Sequence, residues 1–168
     1  MKKKIILFIV LSGLLVSCGG PKAFFDYKED ADFQTYQKFD FYKDLKTDMQ
    51  QFDEQRFKRS IDSVLNKKGL EPSKKPDFKI DFFAEYFRSS GGRSNVGVSI
   101  GGLYGNVPVG GQKLYISITV NFIDSKTDEL FWQAVVEGSL TNKLRPQERA
   151  DFLHKLAKKA LSKYPPEN

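Results

Sequence analysis

Cys18 stands at the end of a short run whose residue types define one piece of chemistry. Lys2, Lys3 and Lys4 are followed by the uncharged stretch Ile5 to Val16, then Ser17 and Cys18. A positive start followed by an apolar segment is the order of a bacterial secretion signal, with the lysines held on the cytoplasmic side. The apolar stretch is about a dozen residues, whereas a spanning helix needs about 20, so it is too short for a permanent anchor. Leu15-Val16-Ser17-Cys18 resembles the lipobox, at which processing enzymes attach a diacylglyceryl group to the cysteine sulfur and cut before that residue. The expectation is therefore a signal over residues 1–17 cut between Ser17 and Cys18, a lipidated Cys18, and a tether over 18–22. An ordinary signal peptide cut elsewhere is the alternative.

Other chemistries fare worse on spacing. Gly105-Asn106-Val107-Pro108-Val109-Gly110 has the glycine spacing of a phosphate-binding loop, but Gly111-Gln112 stands where Lys and Ser or Thr are required. His154 is the single histidine, no serine sits in a GxSxG elbow, and one His with one acylated Cys does not make a zinc set. Asp124, Asp128 and Glu129 lack the glycine and terminal glutamate of a calcium loop and read as a turn. Asp26, Asp32, Asp40 and Asp81 are scattered acids with no spacing that pairs them. No cofactor or metal is expected.

The address limits the rest. With one cysteine, the mature domain forms no internal disulfide even in an oxidising compartment, and the fold must rest on its core. Removing residues 1–17 from 168 leaves 151, enough for a single domain over 23–168. The removed segment carries three lysines and no acid, so the formal charge falls from +6 to +3, and nucleic acid is not an expected partner. The residue after the cysteine is Gly19 rather than the Asp that retains many lipoproteins at the inner membrane, which favours the outer membrane.

The elements that must position any site follow from periodicity. Aromatic density over Ala23 to Tyr27 and Phe39 to Tyr42 suggests two strands separated by a turn. Phe52, Phe57, Ile61, Val64 and Leu65 share a helical face between about Asp48 and Lys68, with Asp48 or Asp53 as the cap and Gly69 as the terminating residue. Alternation returns over Phe78 to Phe87, over Leu114 to Phe122, and over Leu130, Trp132, Ala134, Val136 and Gly138. Pro146 opens a last helix whose stripe is Phe152, Leu153, Leu156, Ala157, Ala160, Leu161 and Tyr164. Such one-faced strands and helices predict an α+β two-layer sandwich. Its mainly antiparallel sheet carries both helices on one face, in the order strand(s), helix, strand, strand, strand, helix.

Residues 89–112 interrupt this plan, with eight of the thirteen glycines. Val96 to Ile100 and Val107 to Val109 form the arms of an expected hairpin, either a plain extension of the sheet or a partner-contact loop bearing Val98, Ile100, Leu103, Tyr104 and Val107.

Several short motifs carry a wider resemblance. The lipobox, Asp26-Tyr27, Asp32-Phe33 with Tyr36, Lys68-Gly69-Leu70, Pro76-Asp77-Phe78, Asp124…Thr127…Leu130-Phe131-Trp132-Gln133 and Lys163-Tyr164-Pro165-Pro166 occur in that order. Together they resemble the bacterial lipoprotein family known as domain of unknown function 4136, over nearly the whole mature chain. The resemblance implies an α/β lipoprotein of the outer membrane or periplasm and brings no catalytic residues to transfer. The expected function is a lipid-anchored envelope module without catalysis, held to the membrane by acyl chains and either binding an envelope protein or packing its sheet into a larger assembly as a structural lipoprotein. The alternative is a hydrolase or small-ligand binder using acids near Asp77, Asp81 or Glu85.

Overall fold

Residues spaced two apart share a face of an extended chain, and residues three or four apart share a face of a helix. The computed structural model describes residues 20–89, 94–100, 103–109, 113–141 and 143–166 and turns both periods into elements. In chain order these are β1 (Lys22–Tyr27), a 3-10 turn (Phe33–Thr35), β2 (Lys38–Phe41), α1 (Gln51–Lys67), β3 (Glu71–Pro72) and β4 (Phe78–Ser89). They continue with β5 (Ser94–Ile100), β6 (Leu103–Val109), β7 (Lys113–Asp124), β8 (Leu130–Leu140) and α2 (Pro146–Ala160). The main sheet has the order β1-β8-β7-β4-β2-β3, and β5 with β6 forms a separate antiparallel pair.

The long strands β4, β7 and β8 are antiparallel neighbours, as their unbroken alternation requires. β1 joins β8 antiparallel, whereas β2 runs parallel to β4 and β3, so the sheet is mixed. The first two strands, adjacent in sequence, thus lie on opposite sides of the three long ones. Phe57, Ile61, Val64 and Leu65 of α1 and Leu153, Leu156, Ala157 and Ala160 of α2 enter one core with the inward residues of the sheet, giving the two-layer α+β sandwich. α2 approaches the sheet closely at Gly138: a Cβ there would lie 2.8 Å from Leu156 Cδ2 and 3.0 Å from Phe152 Cζ.

Three details depart from the periodic reading. Phe52 is 69% exposed, and the inward position one turn before Phe57 is taken by Asp53, which is 2% exposed. The start of α1 is capped by neither acid: Gln50 is the boundary residue, and Asp48 lies outside the helix at φ 54°. Leu130 is half exposed because Phe122 faces Trp132 while Ile123 faces Leu130, leaving Phe131 as the extra residue of a β-bulge. The slip turns both Phe131 and Trp132 into the core. The helix exit follows the reading, with Gly69 at φ 88°. Pro146 is the first residue of α2, whose Glu148 side chain accepts from the Arg145 N–H at 2.8 Å.

Candidate functional site

The helices cover one face of the sheet, and no described helix covers the other. Strand register sets the side chains of that second face into bands. Phe24, Val135, Thr119 and Phe83 lie opposite one another in one row, and Asp26, Gln133, Asn121 and Asp81 in the next. The apolar row ends in Phe24, which is 61% exposed on edge strand β1. The polar row is fixed at its centre, where Gln133 Nε2 donates to Asn121 Oδ1 at 2.7 Å. Toward the end where β4 stops and β7 starts, Phe87 and Tyr115 stack at 5.5 Å between ring centroids. Asp26 and Gln133 of the polar row border a surface hollow of about 230 Å³ shared with Tyr27, Lys28 and Trp132.

The acids weighed in the sequence fall in separate places. Asp77 accepts from the backbone N–H groups of Gln37 (3.1 Å) and Lys38 (2.8 Å), tying the start of β2 to β4. Asp32 accepts from the Gln34 N–H at 3.1 Å and starts the 3-10 turn. Asp81 and Glu85 occupy the uncovered face four residues apart on one strand, about 13 Å along it. Asp77, Asp81 and Glu85 therefore do not form the paired carboxylates that the hydrolase alternative requires. Asp40 is near enough to Asp62 of α1 to act on it: burial first, and the Asp40 charge second, raise the Asp62 carboxyl above its ordinary value. Among the described residues, no three His, Cys, Asp or Glu side chains gather as a metal site.

The turn at 125–127 has a structural cause. Asp124 Oδ1 accepts from the N–H groups of Lys126 (2.6 Å) and Thr127 (2.9 Å), and its Oδ2 accepts from the Tyr36 hydroxyl at 2.9 Å. Burial pushes the Asp124 carboxyl up, but these donors outweigh it and hold it below its ordinary value. Burial and the same contact push the Tyr36 hydroxyl up to about 12. Asp124 and Asp128 thus serve the turn, and Asp128 also accepts from the Tyr42 hydroxyl at 2.8 Å.

Sequence reasoning missed a second polar cluster. Asp53 Oδ2 accepts from Arg149 Nε at 2.9 Å and from its Nη2, while Oδ1 accepts from Arg56 Nη1 at 3.0 Å. The cluster ties α1 to α2. A signal was available: Asp53 stands four residues before Phe57, and Arg149 four before Leu153, so both charges fall on the inward stripes of their helices with opposite signs.

Cys18 and Ser17 lie outside the described residues. Val98 and Ile100 are in β5, and Leu103, Tyr104 and Val107 in β6, where Ile100 pairs with Leu103 and Val96 with Val107. Their side-chain contacts also lie outside the described part. The hairpin is joined to the sheet by residues 90–93 and 110–112, at the end where β4 stops and β7 starts. That same end holds a notch of about 610 Å³, lined by Gly20, Lys22, Lys113, Glu137, Phe152 and Lys155 among others. His154 borders a shallow surface groove between the helices, beside Arg56 and Asp151.

The profile of a family described as a domain of unknown function, DUF4136, matches residues 24–166. The chain belongs to this family. No curated protein matches it. Among solved structures, DUF4136 of this chain is similar to a PDZ domain protein from Parabacteroides distasonis ATCC 8503. The TM-score is 0.58 and the identity 16% over 89% of this chain, which spans only 37% of that one. It is also similar to PelC from Paraburkholderia phytofirmans, solved as a dodecamer, with a TM-score of 0.55 and 9% identity over 88% of this chain and 99% of that one. A substituted PelC dodecamer gives 0.51 and 10%, over 84% and 95%. At these identities the likeness is one of fold. No helix among the described residues is long and apolar enough to cross a membrane.

Proposed function

We propose that this DUF4136 chain is a lipid-anchored module of the bacterial envelope that works by binding, using the uncovered face of its sheet to hold an envelope protein or further copies of itself. The observation that carries the reading is the banded face, where Phe24 is 61% exposed and Val135 and Phe83 are partly exposed around a buried Thr119, next to a polar row joined at its centre by a hydrogen bond. A sheet normally buries apolar side chains on the face that it packs, so an aromatic 61% exposed at its edge suits a partner. Similarity to PelC over nearly the whole of that chain supports the self-assembling form, because PelC was solved as a dodecamer. The anchor rests on the lipobox at Cys18 and the segment before it. Two or three acyl chains, at about 0.8 kcal/mol per buried CH₂, would hold such a domain far more firmly than one. The acids scattered over the sheet favour binding over hydrolysis as the work of this surface.

Two experiments test the two halves. Cys18→Ser should abolish acylation and leave the processed chain in the soluble fraction; a signal-free Cys18→Ser chain that stays with membranes overturns the anchor. Detergent-extracted protein should migrate as a complex that Phe24→Asp disperses without unfolding the domain. A parent that migrates as a lone monomer and captures no envelope protein overturns the binding role.

A further inference from the structure

The tether enters at one end of the sheet. Lys22 opens β1 opposite Glu137, close to the end of β8, and Lys113 opens β7 opposite Ser89, the last residue of β4. Gly20 is two residues from Cys18, a reach of at most about 7 Å in an extended chain. An anchor at Cys18 would therefore lie within about 7 Å of Gly20 at this end.

The chemistry of that end matches such a surface. Lys22, Lys113 and Lys155 are all exposed and line the notch beside Gly20 and Pro21, against one acid, Glu137. None of the three lysines is ion-paired with a described residue, whereas Lys28 at the opposite end is bound to Glu129 at 3.0 Å. Adjoining the lysines, Tyr115 lines the same notch and stacks on Phe87, which is 41% exposed. Long lysine side chains around exposed aromatic rings suit the boundary between water and lipid headgroups, where rings enter the interfacial layer and ammonium groups meet phosphates. The opposite end mixes Asp30, Asp32, Asp77, Asp124, Asp128 and Glu129 with Lys28, Lys74, Lys75 and Lys126, so its charges of both signs offset one another.

We infer that the Lys22, Lys113 and Lys155 end of the sandwich, with the Phe87 and Tyr115 stack, docks on anionic phospholipid headgroups and sets the domain upright on its membrane. The orientation rests on anchoring at Cys18, but the headgroup contact is a property of the folded domain alone. An upright domain keeps the banded sheet face roughly perpendicular to the membrane, open to neighbours beside it. Each basic residue at an anionic surface contributes about fivefold to partitioning, so three contribute about a hundredfold.

The test uses the processed chain from residue 18 with Cys18→Ser, which retains every buried residue and carries no acyl group. It is floated with vesicles of phosphatidylcholine alone and of phosphatidylcholine and phosphatidylglycerol in equal parts. Binding is expected to the mixed vesicles and not to the neutral ones, to fall about a hundredfold in Lys22→Ala/Lys113→Ala/Lys155→Ala, and to fade as salt rises. The control Lys74→Ala/Lys75→Ala/Lys126→Ala removes as much charge from the other end and should bind like the parent. Equal or absent binding of the parent to both vesicles, or equal losses in the two triple variants, overturns the inference. If that happens while Cys18→Ser still frees the processed chain in cells, the anchor stands and the docking face alone falls.

Discussion

The two ends of the sandwich are held by opposite kinds of interaction. At the turn end, Phe78, Phe122, Phe131, Trp132 and Tyr164 close the core with ring contacts, among them Phe122 to Trp132 at 4.7 Å and Trp132 to Tyr164 at 5.3 Å. Tyr36 stacks on Phe131 at 3.9 Å and hands its hydroxyl to Asp124, so the turn and the aromatic plug form one unit. At the tether end the starts of the two helices meet through Asp53, Arg149 and Arg56 instead. An aromatic plug stabilises through the apolar area and close packing of each ring, so a lost ring leaves a gap; a buried ion cluster depends on every member being present. The difference teaches where the domain has freedom to carry function. The end near Gly20 and the hairpin strands joins its helices through this polar cluster and carries Lys22, Lys113 and Lys155 at its rim, none ion-paired with a described residue.

Breaking the aromatic end should cost the most. Trp132→Ala removes a fully buried ring that touches three others, and should lower unfolding free energy by about 4 kcal/mol, read from the urea midpoint. A loss below about 1 kcal/mol would mean that the plug collapses around the gap and does not hold that end of the core together.

The ionic end comes next and should behave differently in kind. Asp53→Ala strands two arginines, and should cost about 3 kcal/mol. The apolar double replacement Asp53→Leu/Arg149→Met should recover most of that loss, because the desolvation penalty of both groups disappears with them. No such rescue is available at the aromatic end, so equal losses in the single and double variants would erase the contrast.

Gly138→Val probes the contact between α2 and β8 near the tether. Its side chain would press on Leu156 and Phe152, and a loss of about 2 kcal/mol is expected from overpacking. Thermal unfolding that is unchanged would show that α2 shifts freely over that strand.

The smallest effect is at the turn. Asp124→Ala gives up three hydrogen bonds at a partly exposed site and should cost about 1 kcal/mol. Its pH dependence has a definite sign. The folded carboxyl lies below its ordinary value, so its contribution is complete above the unfolded value and is lost as pH falls through the folded one. The gap between parent and Asp124→Ala should therefore close in acid and stay constant near neutrality, measured by urea unfolding across that range.

Much of this molecule is legible without coordinates because its strands and helices each have one apolar face. The alternation of Phe78 to Ala84 and of Ile116 to Phe122 dictates strands with one buried side, and Gly69 and Pro146 mark helix boundaries by backbone chemistry alone. The same residues imply a layered α+β fold, since an apolar face must find another. What periodicity does not contain is partner choice. That β1 pairs with β8 while β2 crosses to run parallel with β4 is a choice of neighbour that neither strand's own alternation contains. The bulge that brings Phe131 into the core, and the arginine that lets Asp53 replace a hydrophobe beside Phe57, are settled by neighbours distant in the chain. Local pattern fixes which side of an element is apolar, because dihedral geometry repeats along the backbone. Only the tertiary structure decided that Lys22, Lys113 and Lys155 share one end, because charges so far apart in the chain come together only when the strands and the last helix pack.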